Sequence, residues 1–193
     1  AHRRGIEVVA LCLSDGSASH PGSPTLSPAE LAIRRRAEVD SATSVLGIEP
    51  TRWCGLGDGT LADHEDEIEA IVEHTLAEQP ETPTALLAVW AHDGHPDHEA
   101  VGRGARRVGD RCGVPAWMYP IWMWHWATPD DPDIPWERMR TFVLDDDLEA
   151  AKREAVQAFD TQIRPLSPAP EDATVLGPHI LDRLLRDREF VFV

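Results

Sequence analysis

Apolar runs and amphipathic segments alternate along this chain. Residues 6–13 and 85–90 are almost wholly apolar and rich in valine and leucine, as is typical of strands that are covered on both faces. Between them, residues 27–46 predict a helix, because Ser27-Pro28-Ala29-Glu30 forms a capping box with proline at the first helical position. Gly47 then provides the stop signal at the end of that helix.

The same alternation continues to the C-terminus. Further strands are predicted at 51–56, 114–126, 140–144 and 189–193, and further helices at 64–79, from Pro96, at 148–159 and at 179–185. Strands that alternate with helices favour the α/β class. We therefore predict a three-layer, Rossmann-like sandwich with a mostly parallel sheet, in a single domain that spans residues 1–193. The strands ending at Leu13 and Trp90 are expected to be near neighbours in that sheet, with Asp15 and His95 on one rim.

The segment 114–126 is rich in tryptophan. As one strand with a period of two, it would place Trp122, Trp124 and Trp126 on the same face. Tryptophans at this spacing form core or a subunit contact more often than a sugar-stacking surface. The packing interpretation is therefore favoured.

Composition narrows the range of partners. The chain has 193 residues, a formal net charge of −16 and three widely spaced cysteines. An acidic protein of this kind lacks the basic face that nucleic-acid binding needs. No apolar run is long enough to span a bilayer, and the odd number of cysteines suits a reducing compartment, so a cytoplasmic location is predicted. A homo-oligomer is left open.

The residues that carry chemistry are concentrated directly after the apolar run that ends at Trp90. Three histidines and two aspartates fall within seven residues, namely His92, Asp93, His95, Asp97 and His98. Gly94 breaks the strand and Pro96 suits the first turn of a helix, so the cluster lies at the edge where open α/β sheets bind ligands. Imidazole and carboxylate groups are ligands that zinc prefers. A metal or acid–base site is therefore favoured over a polar loop whose histidines cap a helix.

Two further features allow more than one interpretation. Arg35 and Glu38 fall on the same helix face as apolar residues, where they either form a buried ion pair or point at a ligand. The glycines of the segment 55–59 invite a dinucleotide-binding interpretation. They lack the G-x-G-x-x-G spacing and no helix opens promptly after them, so a nicotinamide-dependent oxidoreductase is disfavoured.

Taken together, these motifs resemble those of the LmbE-like, or PIG-L, family of zinc-dependent N-acetylglucosamine deacetylases. The matching pieces are Leu13-Ser14-Asp15-Gly16, Arg35-x-x-Glu38 followed by Leu46-Gly47, Leu56-Gly57-Asp58-Gly59, and Gly94-His95-Pro96-Asp97-His98. The last piece is the most specific, and the set covers most of the chain in order.

The resemblance implies a role for each matching residue. His98 would bind one zinc ion, or another divalent metal, and His95 would stabilise the oxyanion and protonate the leaving amine. Asp97 would orient His95 through a hydrogen bond. The substrate would be an N-acetylglucosamine-containing small molecule or glycoconjugate. The substrate-binding residues that the resemblance implies are Asp15, Arg35 and Asp58.

The resemblance also implies an H-P-D-D-E motif, which supplies two more metal ligands and a general base. No H-P-D-D occurs in these 193 residues, so we expect that motif, with the strand before it, upstream of Ala1. The chemistry is coherent, because zinc lowers the pKa of its bound water towards about 7 and polarises the amide carbonyl. The alternative is a catalytically inactive paralogue that serves as a sugar-binding or regulatory module.

Overall fold

The computed structural model describes residues 5–48, 50–81 and 83–193. Its strands, in chain order, are β1 (Leu11–Cys12), β2 (Arg52–Trp53), β3 (Leu86–Val89), β4 (Ala116–Tyr119), β5 (Met139–Val143) and β6 (Arg188–Phe192). Its α-helices are α1 (Pro28–Leu46), α2 (Glu65–Ala77), α3 (Pro96–Cys112), α4 (Met123–Trp126), α5 (Asp146–Gln157), α6 (Asp160–Ile163) and α7 (Pro178–Leu184). Short 3₁₀ helices cover Leu61–Asp63, Trp136–Arg138 and Pro170–Asp172.

The chain divides into two compact units. The first comprises the chain up to Asp58 together with Leu144–Asp187, and the second comprises Gly59–Val143 together with Arg188–Val193. The first unit thus holds β1, β2, α1 and α5 to α7, and the second holds the remaining strands with α2 to α4.

In the first unit, α1 begins and ends where the sequence predicts. Ser27 Oγ accepts a hydrogen bond from the Glu30 N–H at 3.3 Å, and the Glu30 carboxylate accepts one from the Ser27 N–H at 2.9 Å. Gly47, with a φ of 64°, makes the left-handed turn that ends the helix. β1 and β2 pair in parallel beside it. The buried face of α1 carries Arg35 and Glu38, as predicted, and the apolar residues beside them are Leu31 and Ala42.

In the second unit, a four-stranded sheet has the order β3-β4-β6-β5. α3 lies so close to β3 that a Cβ atom on Gly102 would come within 2.5 Å of the Val89 carbonyl oxygen. Because that oxygen belongs to the backbone, only glycine allows this approach. The contact fixes the first turns of α3 against the end of β3. The buried core beneath this junction contains Trp90, Ala91, Met118, Met123, Ile134 and Phe192.

The outer side of α3 is tied to α2 by ion pairs. Arg103 reaches Glu65 at 2.6 Å, Arg111 reaches Glu69 at 2.5 Å, and Arg107 contacts both glutamates. These side chains are partly exposed, so each pair contributes modestly to stability. Together the pairs hold α2 and α3 in one register.

Two predictions about the sheet are wrong. The four-stranded sheet is mixed, because β6 enters between β4 and β5 and is antiparallel to both. Within the described ranges, β1 pairs only with β2, and β3 pairs with β4, so the strands ending near Leu13 and Trp90 do not share a sheet. Apolar periodicity reports which residues are buried but not the direction of a strand. The three-layer arrangement, the single domain and the common rim for Asp15 and His95 stay predictions.

The tryptophan-rich segment is also not a single strand. β4 ends at Tyr119, Pro120 follows, and α4 begins at Met123. Proline has no N–H with which to continue the ladder, and the N–H groups of residues 121–123 turn instead to the side chain of Asp93. Trp122, Trp124 and Trp126 therefore lie around a short helical turn and not on one strand face.

Candidate functional site

The predicted cluster lies in the second unit, between the end of β3 and the start of α3. His95 is the residue before α3, and Pro96 occupies the first helical position. Gly94 has a φ of +85°, a left-handed conformation that glycine adopts without steric cost. This turn leads directly into the N-terminal end of α3.

Asp93 is the centre of the cluster. It is wholly buried, and its Oδ2 lies 2.6 Å from His98 Nδ1. The same carboxylate accepts three backbone hydrogen bonds, from the N–H groups of Ile121 at 3.0 Å, Trp122 at 2.7 Å and Met123 at 2.9 Å. One side chain thus joins the imidazole of His98 to the segment that leads into α4.

The ionisation of Asp93 determines which tautomer the neutral His98 adopts. Burial by itself would raise the pKa of Asp93, but the hydrogen bonds from His98 and from the backbone at 121–123 outweigh it and hold that pKa below its ordinary value. An ionised carboxylate only accepts hydrogen bonds, so the proton of a neutral His98 is on Nδ1 and the lone pair is on Nε2. This is the arrangement in which a carboxylate orients a metal-binding histidine.

His95 lies beside His98. The two ring centroids are 4.7 Å apart, and the indole of Trp122 stands edge-on to His95 at 5.4 Å. Trp122 is itself stacked on His125 at 4.2 Å. The predicted pair of histidines is therefore brought together, with an aromatic side chain bordering one of them.

Asp97 has a role that the sequence analysis did not foresee. Its carboxylate is buried and accepts hydrogen bonds from the N–H groups of Gly59 at 2.7 Å and Leu61 at 3.0 Å. Asp97 thus holds the turn at 59–61. The structure gives a carboxylate–imidazole hydrogen bond between Asp93 and His98. The predicted bond from Asp97 to His95 stays a prediction.

The three predicted substrate-binding residues lie in the first unit. Asp58 accepts hydrogen bonds from Ser14 Oγ and from the Ala18 N–H, both at 2.8 Å. Arg35 is 7% exposed, and its Nη2 donates to Ser19 Oγ at 2.8 Å. The loop at 14–19 is therefore organised by Asp58 and Arg35 together. Asp15, within that loop, accepts a hydrogen bond from the Ser17 N–H at 3.1 Å.

The alternatives for Arg35 and Glu38 can now be compared. Glu38 accepts hydrogen bonds from the N–H of Thr161 at 2.7 Å and from its hydroxyl at 2.8 Å, so its partner is α6. Burial lowers the pKa of Arg35, and its Nε has no hydrogen-bond partner within the described part of the chain. The hydrogen bonds of Glu38 thus go to α6, although its charge still acts on Arg35, and the guanidinium keeps the capacity for a further acceptor.

A metal ion finds one suitable ligand here. His98, with Nδ1 engaged by Asp93, offers the Nε2 lone pair that zinc binds. Among residues 5–48, 50–81 and 83–193, no group of three or more histidine, cysteine, aspartate or glutamate side chains is placed to hold a metal ion. The described residues therefore fit one position of a metal site and do not complete it by themselves.

Comparison with known families places these motifs in context. The PIG-L family model, described as GlcNAc-PI de-N-acetylase, matches residues 1–108. A search of curated proteins finds no match.

In the part of the chain that the structure describes, no helix combines the length and apolar character needed to cross a membrane.

Solved structures share the fold. The A40926 pseudoaglycone deacetylase Dbv21 is 22% identical with a TM-score of 0.70, over 99% of this chain and 86% of its own. The zinc-inhibited form of the teicoplanin deacetylase Orf2 is 18% identical with a TM-score of 0.70, over 100% of this chain and 88% of its own. The N,N'-diacetylchitobiose deacetylase of Pyrococcus horikoshii is 16% identical with a TM-score of 0.55, over 96% and 67% of the two chains.

Proposed function

Because the chain belongs to the PIG-L family, whose model is described as GlcNAc-PI de-N-acetylase, we propose that it removes the acetyl group from an N-acetylated amino sugar. The substrate is an N-acetylglucosamine-containing small molecule or glycoconjugate, and the reaction is a hydrolysis that yields acetate and a free amine. The cofactor is one divalent ion, with zinc as the first candidate. The deacetylases among the structural neighbours share this fold, which supports the assignment to deacetylation.

One observation carries the proposal: the 2.6 Å contact between the buried Asp93 and His98, with His95 adjacent. A structural histidine that caps a helix does not require a buried carboxylate at its Nδ1. A metal-binding histidine does, because the carboxylate fixes the tautomer and raises the basicity of the ligand nitrogen.

Each residue of the cluster then has a separate role in the reaction. His98 would hold the ion through Nε2, and Asp93 keeps that ring in place. A bound zinc ion supplies Lewis acidity, which makes a water molecule more acidic and an amide carbonyl more electrophilic. As water adds to the carbonyl carbon, it would give up a proton to the general base expected in the H-P-D-D-E motif, while His95 donates a hydrogen bond to the developing oxyanion. His95 then gives a proton to the amine nitrogen as the C–N bond breaks.

The substrate-binding residues that the family resemblance implies are assigned to the sugar. Arg35, with its partly unsatisfied guanidinium, and Asp58 offer a donor and an acceptor to ring hydroxyls, and Asp15 adds a second acceptor in the same loop. Side chains of this type fix the orientation of a polar ligand, so their loss is expected to raise KM.

The test is acetate release by the zinc-loaded, full-length protein from an N-acetylglucosaminide. His95→Ala is expected to lower the rate by roughly two orders of magnitude or more, with zinc still bound, because the donor to the oxyanion and leaving amine is lost. The matched control is His92→Ala, an exposed histidine of the same loop whose ring packs edge-on against Trp90, and it should keep the wild-type rate. Near-normal turnover by His95→Ala would contradict the proposal, and loss of zinc would make His95 a ligand instead.

A further inference from the structure

Trp126 is a tryptophan that the fold both exposes and fixes in place. It is 40% exposed, yet its indole N–H donates to the backbone oxygen of Asp93 at 2.9 Å. Its ring also lies nearly parallel to that of the buried Trp90, at 17° and 6.4 Å between centroids. A large apolar ring left in contact with water forgoes part of the stabilisation that its burial would give. An exposed ring with this much support is therefore typical of a binding surface.

The position of Trp126 connects it to the candidate active site. A Cβ atom on Gly94 would lie 2.6 Å from the indole Nε1, so the ring rests directly against the backbone of the residue before His95. The hydrogen bond to Asp93 ties the ring to the same residue that orients His98. Trp126 thus contacts the backbone of the two residues that come directly before His95.

The surroundings of Trp126 indicate what it binds. Within 120–135 it is the exposed large apolar side chain, and the other exposed residues of this segment are the polar His125, Thr128, Asp130 and Asp133 together with Pro129 and Pro132. A lipid chain would need a continuous apolar groove, and an anion would be repelled by the aspartates. A pyranose ring presents one apolar C–H face surrounded by hydroxyl groups, and this matches a single aromatic ring with a polar rim.

We propose that Trp126 is the platform on which the sugar ring of the substrate stacks while its acetamide faces His95. This inference rests on the proposed function, because it takes the substrate to be an N-acetylated amino sugar. The sequence analysis favoured packing for Trp126 and kept a sugar-stacking surface as the alternative, which this proposal takes up.

The direct test is ¹⁹F NMR of the full-length protein labelled with 5-fluorotryptophan and titrated with N-acetylglucosamine. The resonance of Trp126 is identified by its absence in Trp126→Phe. It should shift on titration, whereas the resonance of Trp117, which lies in β4 stacked on Phe142, should not. Saturating sugar that leaves the Trp126 resonance unmoved would overturn the assignment.

Variants of Trp126 measure how much its ring contributes to the affinity for N-acetylglucosamine. Trp126→Ala should weaken N-acetylglucosamine binding roughly tenfold, and Trp126→Phe, which keeps an aromatic face, should recover most of the loss. Trp117→Phe is the matched control and should bind as the wild type does. Wild-type affinity in Trp126→Ala would overturn the proposal. If Trp126→Ala does not fold, the comparison of Trp126→Phe with Trp126→Leu replaces it, since only the aromatic variant should retain binding.

The outcomes separate this inference from the proposed function. Sugar binding that depends on Trp126, in a protein that releases no acetate, supports the platform and contradicts the deacetylase. Acetate release with an unchanged KM in Trp126→Ala supports the deacetylase and contradicts the platform.

Discussion

Asp93 in the second unit and Asp172 in the first are both wholly buried carboxylates, but their partners differ. Asp93 accepts three backbone N–H groups and one imidazole. Asp172 accepts hydroxyl groups, from Ser23 and Ser167 at 2.5 Å each and from Thr25. Both are hydrogen-bonded, as buried charges must be.

The difference lies in what each carboxylate controls. The partners of Asp172 are short side chains of two loops, so its removal is expected to loosen those loops. Asp93 shares its hydrogen bonds between a chain segment and a ring nitrogen of His98, so its removal changes the orientation of a group that can do chemistry. The donor set, and not burial alone, therefore distinguishes a carboxylate that orients a histidine from one that joins two loops.

The largest difference between the two acids is expected when each is replaced by its amide. Asp93→Asn should lower acetate release about 10-fold to 100-fold, since an amide no longer fixes the protonated Nδ1 of His98. Asp172→Asn, the matched control, should lower the melting temperature while the rate per folded molecule stays at the wild-type level. The measurements are initial rates at saturating zinc and thermal unfolding of each variant. Equal loss of rate in both variants would show that the two acids serve the same purpose.

A smaller effect concerns His20, a neighbour of Asp172. It is 5% exposed, and its Nδ1 lies 3.1 Å from Ser19 Oγ. Burial lowers the pKa of His20 and the guanidinium of Arg35 lowers it further, while Asp172 acts in the opposite direction. The folded protein therefore resists protonation of this ring.

The sign of the resulting pH dependence follows from linkage. Below about pH 6.5, the ordinary pKa of histidine, the unfolded chain takes up a proton that the folded protein does not, so stability is present above that pH and is lost as the pH falls. His20→Asn should make the free energy of unfolding less dependent on pH between about 6.5 and 5, as measured by urea denaturation. Parallel curves for the wild type and the variant would contradict this account.

Local signals made much of the helical structure predictable. The capping box at Ser27 and the glycine at 47 gave α1 correctly, because both act within a few residues of the helix ends. The turn at Gly94 and Pro96 likewise located the start of α3 and the pair His95 and His98.

Long-range contacts explain what the sequence did not reveal. The path after Tyr119 depends on Asp93, almost thirty residues earlier, which captures the amides that a strand would have used. The reversed direction of β6 depends on its pairing with β4 and β5, which no periodicity records. For the same reason, Asp93 was recognised as a member of the cluster but its role was not.

We propose His98, oriented by Asp93, as the metal ligand of a deacetylase site. The most direct measurement is the zinc content of full-length His98→Ala by elemental analysis, together with its acetate release from an N-acetylglucosaminide. His74→Ala, an exposed histidine of α2 that pairs with Glu78, is the control. We expect His98→Ala to lose both zinc and activity while His74→Ala keeps both. Stoichiometric zinc and normal acetate release in His98→Ala would contradict the account.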